Sequence, residues 1–160
     1  MYFKKINKRT TKEQLMENDF WGSDIQYASK KIRDDYDVAM KACKGYGGAF
    51  RFLSDRLRDD KDILLEAIES EECSCVIPLE SASDRLKNDK EIIKKSVAIH
   101  EQSFTYASEA LQNDIPFIIE LLNITPSFIC HVRPAISDKV FMKLKDQIKE
   151  ALEGIKNEDN

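Results

Sequence analysis

Glycine and proline are scarce in this chain of 160 residues, which contains 5 Gly and 4 Pro. So few turn-forming residues argue against a loop-rich or all-β fold. The sequence also lacks any run close to the roughly 18 uninterrupted apolar residues of a membrane span. Met1 to Asn7 contain no apolar segment of the kind that a secretory signal needs. We therefore expect no membrane contact and a cytoplasmic location, and export by a route without an N-terminal signal is the alternative left open.

Residues suited to catalysis are equally few. The chain has two histidines, His100 and His131, and no serine–acid pattern in the sequence connects to either one. No glycine-rich phosphate loop, dinucleotide fingerprint or HExxH motif is present. The sequence therefore predicts no catalytic residues, no cofactor and no enzymatic activity.

The four cysteines do not form a metal-binding pattern. Cys73 and Cys75 are too close for the usual zinc pair, and no second pair completes a site. A helical core of this size does not need disulfides, so we expect reduced thiols. Cys43 is predicted to be a small core residue, Cys73 and Cys75 to be loop thiols, and no metal site is expected.

Charge is abundant and nearly balanced. Charged residues make up 34% of the chain and hydrophobic residues 42%, with a net charge of −4 and a pI near 5.3. This acidic balance keeps a protein soluble and gives no overall attraction to nucleic acid or acidic lipid. By length the chain forms a single domain over residues 1–160.

One short phrase recurs four times. Each copy has the aromatic-Ala-Ser pattern or a close variant, followed by an aliphatic residue three positions after the serine and an aspartate three positions later. The aspartates are 25, 29 and 25 residues apart, a period typical of stacked helical units. The copies begin at Tyr27, Phe52, Ser81 and Tyr106, and the aspartates are Asp35, Asp60, Asp89 and Asp114.

The phrase predicts how one unit folds. Its serine is placed to begin a short helix, and its aspartate is placed to cap a longer one. Apolar residues at offsets 3, 4, 7 and 8 from the aspartate lie on one helix face. We therefore predict an all-α fold of tandem two-helix repeats, stacked into a short solenoid, with repeats at about 27–51, 52–80, 81–105 and 106–130.

The remaining segments are assigned to the ends and to one insertion. Residues 131–156 are predicted to be a degenerate cap, with a fifth phrase over His131–Asp138 and then an amphipathic capping helix. Upstream, Thr10-Thr11-Lys12-Glu13 has the pattern of a capping box. The longer third interval places four extra residues around Glu72 to Leu79, as a longer loop or an extra turn. The apolar positions of the capping helix are Phe141, Leu144, Ile148, Leu152 and Ile155.

The phrase resembles a family of tandem helical repeats that is catalogued as a domain of unknown function. The closest copies are Ser81 through Ile92 and Phe52 through Ile63, and the resemblance extends from about Tyr27 to Leu122. Ser81 in place of an aromatic residue and Pro116 in the first turn of the fourth long helix depart from the pattern. The resemblance implies an all-helical repeat fold and supplies no catalytic residues.

A basic stripe is the main candidate for a functional surface. A cation stands on either side of the repeat leucine in the first three copies, and Ala110 and Gln112 take these places in the fourth. Stacking would align the six cations along one edge, where they either contact a partner or form a solvated face paired with nearby aspartates. The candidate partner-binding residues are Lys31, Arg33, Arg56, Arg58, Arg85 and Lys87.

The aromatic residues Tyr27, Phe52 and Tyr106 also lie in register. They suggest a core ladder between repeats in preference to a stacking surface for bases. The predicted function is that of a non-catalytic protein-interaction module, an inhibitor, chaperone or adaptor whose partner is another protein. Nucleic-acid binding through the basic stripe is the alternative, and an enzyme with an unrecognised site is the third hypothesis.

Overall fold

A computed structural model describes residues 6–17, 22–70, 77–128, 130, 132 and 136–147. Helices occur throughout these residues, and no strand is found among them, which confirms the predicted all-α fold. The elements in chain order are α1 (Lys12–Glu17), η1 (Gly22–Tyr27), α2 (Lys30–Arg33), α3 (Tyr36–Gly45), η2 (Gly47–Phe52), α4 (Asp55–Arg58), α5 (Lys61–Glu69), η3 (Pro78–Ser81), α6 (Asp84–Lys87), α7 (Lys90–Ile99), η4 (Glu101–Tyr106), α8 (Glu109–Gln112), α9 (Ile115–Ile124) and η5 (Pro126–Phe128), where η marks a 3₁₀ helix. Residues 138–147 form a further helix, the C-terminal helix.

Each short helix begins at the serine of its phrase. The hydroxyl oxygen accepts a hydrogen bond from the backbone N–H three residues on, at 3.3 Å in all four copies. This is the N-cap bond that the sequence predicts, and it satisfies a donor that has no partner within the helix. The capping serines are Ser29, Ser54, Ser83 and Ser108.

Each long helix begins at the aspartate of its phrase. The carboxylates of Asp35, Asp60, Asp89 and Asp114 accept hydrogen bonds from backbone N–H groups of the first helical turn, at 2.9–3.3 Å. None of the four lies within a helix, which confirms the predicted register of the repeats.

The core consists of the apolar faces of the long helices and the aliphatic residue of each short helix. Residues at offsets 3, 4, 7 and 8 from each capping aspartate are buried, except that Leu122 is partly exposed. The repeat residues Ile32, Leu57, Leu86 and Leu111 are 0–7% exposed. Both observations confirm the predicted core. Cys43 is one of these residues, and its thiol is buried, as predicted.

The repeat contains a third element, a 3₁₀ helix, before each short helix. It places the residue four positions before each serine in the core, where Ile25, Phe50, Leu79 and Phe104 are all 0% exposed. The aromatic residues two positions before the serine do not fill this place. Tyr27 is 55% exposed, and Phe52 and Tyr106 are partly buried at the edge of the core. The expectation that Tyr27, Phe52 and Tyr106 form a core ladder is therefore wrong. The 3₁₀ turn directs into the core the residue that lies two positions before each of these aromatic residues.

Backbone hydrogen bonds connect one short helix to the next. The N–H groups of Ser54, Ser83 and Ser108 donate to carbonyl oxygens at the ends of the preceding short helices, at distances of 3.0, 3.2 and 2.9 Å. Such contacts between neighbouring units are what a solenoid requires. The chain is thus a stack of repeated helical units, as predicted.

The N-terminal end of the stack is closed by α1. The hydroxyl of Thr11 accepts a hydrogen bond from the Gln14 N–H, and the Gln14 side chain accepts one from the Thr11 N–H. This reciprocal pair is a capping box. It lies one residue later than the Thr10-to-Glu13 pairing that the sequence suggested. Behind it, Leu15 is buried, so α1 covers the first unit.

The C-terminal end is closed by the C-terminal helix, which confirms the predicted capping helix. Its N-cap is Ser137, whose hydroxyl accepts a hydrogen bond from Val140 N–H at 3.4 Å. Ile136, Val140 and Leu144 are buried, and Phe141 packs against the core, whereas Ile148, Leu152 and Ile155 lie outside the described residues.

The register of the fifth phrase differs from the expected one over His131–Asp138. Ser137 takes the place of the capping serine, and Val140, three residues later, takes the place of the repeat leucine. The capping serines are therefore 25, 29, 25 and 29 residues apart. The pattern was hidden because the helix continues where the other units break at an aspartate.

Two further observations concern the boundaries of the stack. In the second repeat, α5 ends at Glu69 and η3 begins at Pro78, so most of the predicted insertion lies in residues 71–76, outside the described part of the chain. None of the described helices has the length and apolarity that crossing a membrane requires.

Candidate functional site

The six cations of the predicted stripe separate into two columns with different contacts. Column one directly precedes the repeat aliphatic residue (Ile32, Leu57 or Leu86) and contains Lys31, Arg56 and Arg85, all exposed. Column two directly follows the same aliphatic residue and contains Arg33, Arg58 and Lys87, all partly buried. Whether either column binds a partner stays a prediction, but their roles inside the fold are distinct.

The two arginines of column one each connect their unit to the unit before it. Arg56 donates from Nε to Asp34 Oδ1 at 3.1 Å and from a terminal nitrogen to the Asp34 backbone carbonyl at 2.6 Å. Arg85 makes the equivalent pair with Asp59, with Nε and Oδ1 3.0 Å apart. Each arginine thus contacts both the side chain and the backbone at the end of the preceding short helix.

The same carboxylates also accept hydrogen bonds from the capping serines. The Ser54 hydroxyl donates to Asp34 at 2.5 Å, and the Ser83 hydroxyl donates to Asp59. The serine hydroxyl and then the arginine hold the pKa of Asp34 and of Asp59 below the ordinary carboxyl value. These groups therefore remain ionised at neutral pH and keep both donors in place.

The two arginines of column two each contact the following unit. Arg33 donates to the Phe52 carbonyl at 3.4 Å, and Arg58 donates to the Ser81 carbonyl at 3.3 Å. Arg58 also forms an ion pair with Asp55 on its own helix. In both arginines the Nε atom is buried and has no hydrogen-bond partner among the described residues.

The stripe ends at the fourth unit. Ala110 and Gln112 replace the two cations there. Gln112 donates to the carbonyls of Phe104 and Thr105 at 3.2 and 3.0 Å, within its own unit. The cations that flank the repeat aliphatic residue therefore belong to the first three units.

A second row of ion pairs joins the long helices, and the sequence reasoning missed it. A lysine at the first position of one helix pairs with the capping aspartate of the next long helix: Lys12 with Asp35, Lys61 with Asp89, and Lys90 with Asp114, at 2.7–2.9 Å. The sequence does not reveal these pairs because each lysine lies 23 to 28 residues away from its aspartate.

These lysines lower the pKa of the aspartates they contact. For Asp114 the hydrogen bond from Lys90 is the main cause. For Asp35 and Asp89, burial would raise the pKa, but the lysine and the backbone N–H groups outweigh it. In return, the pKa of Lys12 and of Lys61 is raised by hydrogen bonds to the carboxylates.

One step of this row lacks its lysine. Tyr36 holds the first position of α3, and Asp60 caps the helix that follows in the stack. Burial and then the nearby carboxylates of Asp60 and Asp62 raise the pKa of the Tyr36 hydroxyl. Among the described residues, Asp60 thus caps its helix without the lysine that the other long helices receive.

Of the residues considered for metal binding or catalysis, those that the structure describes form no metal-binding group. Within the described residues, no group of three or more His, Cys, Asp or Glu side chains is placed to hold a metal ion. Cys130 is an exposed free thiol, and His100 lies at the end of α7, with Nε2 buried and without a hydrogen-bond partner in the described part of the chain. Cys73, Cys75 and His131 lie outside the described residues.

Comparison with known proteins identifies the repeat. The family described as a domain of unknown function (DUF4116) matches the chain in four overlapping segments, residues 13–58, 37–78, 60–112 and 89–136. No curated protein and no solved structure matches the chain. The four matches cover most of the sequence and follow the stack of capped helices. The chain therefore belongs to the DUF4116 family of tandem helical repeats.

Proposed function

We propose that the chain is a non-catalytic protein-interaction module that works in the cytoplasm. The observation that supports this function is a contrast between constant and varied positions of the repeat. The capping serine is the same in every unit, and the residue three positions later is always aliphatic and buried. A scaffold of this kind leaves its remaining surface free to differ from unit to unit.

The position directly after the capping serine shows the variation. It is exposed in all four units and is occupied by Lys30, Asp55, Asp84 and Glu109. Its charge therefore changes from positive to negative along the stack. Charges arranged in this way select partners and speed association more than they stabilise a fold. A larger protein with a complementary surface is the partner that this pattern fits.

The cytoplasmic location is supported by the thiols. Cys130 is a free, exposed thiol, and Cys43 lies buried in the core. Reduced cysteines are usual in the cytosol, and disulfides are usual in exported proteins. Fractionation of cells that make the tagged chain tests this part of the proposal, and recovery in the medium or in a membrane fraction would contradict it.

A comparative capture experiment tests the interaction function. The tagged chain and a Lys31→Glu/Lys87→Glu variant are used to capture proteins from native lysate, with and without nuclease. Neither lysine makes a side-chain hydrogen bond or ion pair among the described residues, so the variant should fold normally. A protein that is enriched by the wild type, survives nuclease and rebinds in purified form would support the proposal. Loss of every captured protein on nuclease treatment would instead favour nucleic-acid binding.

A further inference from the structure

Two pockets lie at equivalent positions between consecutive short helices. The first, of about 270 Å³, is formed by Lys30 and Arg33 of one unit and by residues 52–55 of the next. The second, of about 320 Å³, is formed by Asp55 and Arg58 and by residues 81–84 of the unit after that. Because Asp55 contributes to both, the two pockets are successive parts of one groove that follows the stack.

Each pocket is lined by an arginine, and of the two only Arg33 is without an ion pair among the described residues. Arg33 and Arg58 donate to the carbonyl of the following unit, but their buried Nε atoms have no partner among the described residues. A buried donor without a partner is costly, and a guanidinium can hold a carboxylate by two parallel hydrogen bonds. At the first pocket Arg33 is therefore available to an external carboxylate, whereas at the second pocket the Arg58 guanidinium is already paired with Asp55.

The two pockets differ in charge. In the first, Lys30 and Arg33 face one carboxylate, that of Asp55. In the second, Arg58 is already paired with Asp55, and Asp84 adds a second carboxylate. The change occurs because Lys30 stands where Asp55 stands one repeat later. The first pocket thus suits an anionic group and the second a cationic one.

We propose that this groove binds an extended peptide that places a carboxylate in the first pocket and a cationic side chain in the second. The inference rests on the proposed function and specifies the surface and the chemistry of the partner. Stacked helices lie about 8–10 Å apart. In a polyproline II chain, every third side chain points the same way, and three residues advance about 9 Å. An acidic and a basic residue three positions apart would therefore reach neighbouring pockets.

Four short fluorescent peptides test the groove by fluorescence polarisation at low salt. Two carry mixed charges, Gly-Asp-Pro-Pro-Lys-Gly and Gly-Lys-Pro-Pro-Asp-Gly, and two carry like charges, with Asp or Lys at both positions. We expect one mixed-charge peptide to bind the wild type about tenfold more tightly than either like-charge peptide, a difference of about 1.4 kcal/mol. No binding of either mixed-charge peptide, or equal binding of all four, would overturn the proposal.

A charge exchange tests the pockets themselves. The Lys30→Glu/Asp84→Lys variant keeps the net charge of the chain but exchanges the character of the two pockets. It should lose about tenfold in affinity for the preferred peptide and bind the other mixed-charge peptide better, again about 1.4 kcal/mol. The matched control is Lys44→Glu/Asp62→Lys, which makes the same exchange on exposed positions of the long helices and should change nothing.

Two further measurements make the result decisive. Circular dichroism and thermal melting establish whether both double variants are folded. If the exchange variant does not fold, Lys30→Ala, a truncation at an exposed position, is used in its place. Lys30→Ala should lower the affinity for the preferred peptide several-fold, and unchanged binding would overturn the proposal. If a native partner binds wild type and exchange variant equally, the groove is not its site, although the interaction function stands.

Discussion

Two fully buried serines provide a matched test of how the core is held together. Ser96 in α7 and Ser103 in η4 are both 0% exposed. The Ser103 hydroxyl donates to the His100 carbonyl, whereas the Ser96 hydroxyl has no partner among the described residues. The perturbation is the same in both cases, replacement by alanine, and the predicted effects have opposite signs.

The magnitude for Ser96 follows from its surroundings. A hydroxyl buried without a hydrogen bond costs about 1–3 kcal/mol in protein mutational data. The equivalent positions of the first two long helices are Ala42 and Ala67, which are also buried, so a methyl group suits this site. Alanine is also the better helix former, by up to about 0.7 kcal/mol. We expect Ser96→Ala to stabilise the fold by about 1–2 kcal/mol, the lower part of that range.

Ser103→Ala removes a hydrogen bond that the fold uses. Such a loss typically costs about 0.5–1.5 kcal/mol. The assay is urea unfolding followed by circular dichroism, with the denaturant slope required to stay constant so that midpoints report stability. For a chain of this length, 1 kcal/mol corresponds to a shift of about 2–4 °C in Tm.

The test lies in the opposite signs of the two changes in stability, a gain for Ser96→Ala and a loss for Ser103→Ala. If Ser96→Ala destabilises the protein, its hydroxyl must have a partner in solution, and the argument from an unsatisfied buried donor is refuted. Equal losses in both variants would mean that volume, and not hydrogen bonding, governs these positions. The reverse substitution, Ala67→Ser, is the internal check, because it should reproduce the Ser96 penalty in a different unit.

Three other predictions concern the stack. Leu86→Ala should cost about 2–5 kcal/mol in urea unfolding, because the side chain is 0% exposed, and a loss below about 0.5 kcal/mol would contradict its place in the core. Tyr36→Lys should add up to about 1 kcal/mol at low salt by supplying Asp60 with the lysine of the other steps, and the gain should vanish in 1 M salt. The third prediction concerns pH, because the fold lowers the pKa values of Asp34 and Asp59. The contribution of these two carboxylates to the free energy of unfolding is complete above the ordinary pKa of 3.8 and is lost as the pH falls through the lowered values. Replacing both aspartates by asparagine should flatten the acid limb of stability measured between pH 5 and pH 2, and an unchanged limb would exclude them as its cause.

The local rules of the repeat could be predicted from the sequence because each depends on residues that are close along the chain. The serine cap is completed three residues away, and the aspartate cap two or three residues away. The inner face of each helix follows from a spacing within two turns. These relations recur in all four units, so the pattern can be recognised by comparing the copies.

The contacts between units could not be predicted in the same way. The sequence offers Asp34, Asp55 and Asp59 as possible partners of Arg56, and only the stacking geometry shows that it pairs with Asp34. The row of lysines on the long helices depends on the same geometry, since each partner belongs to the next unit. The register of Ser137 was missed for a different reason, because the aspartate that marks the other phrases is absent there.

The two columns of the stripe differ in what accounts for their charge. In column one, the cation follows the acid of the preceding unit: Asp34 precedes Arg56 and Asp59 precedes Arg85. Where the acid is replaced by Asn88, the cation is replaced by Ala110, although the Ser108 hydroxyl still donates to the asparagine oxygen at 2.5 Å. The charge of column one therefore changes together with its internal partner.

In the groove beside column two, Arg58 is paired with Asp55 on its own helix, but no internal partner among the described residues accounts for Lys30. Lys30 is exposed and makes no ion pair within the described residues, and the residue at its position changes sign in the next unit while the arginine that follows is kept. Charges that the fold does not pair internally are the ones available to an external ligand. This is the physical reason to look for a partner of this repeat stack in the groove of Arg33 and Arg58, and not along the Arg56 and Arg85 pairs that hold its units together.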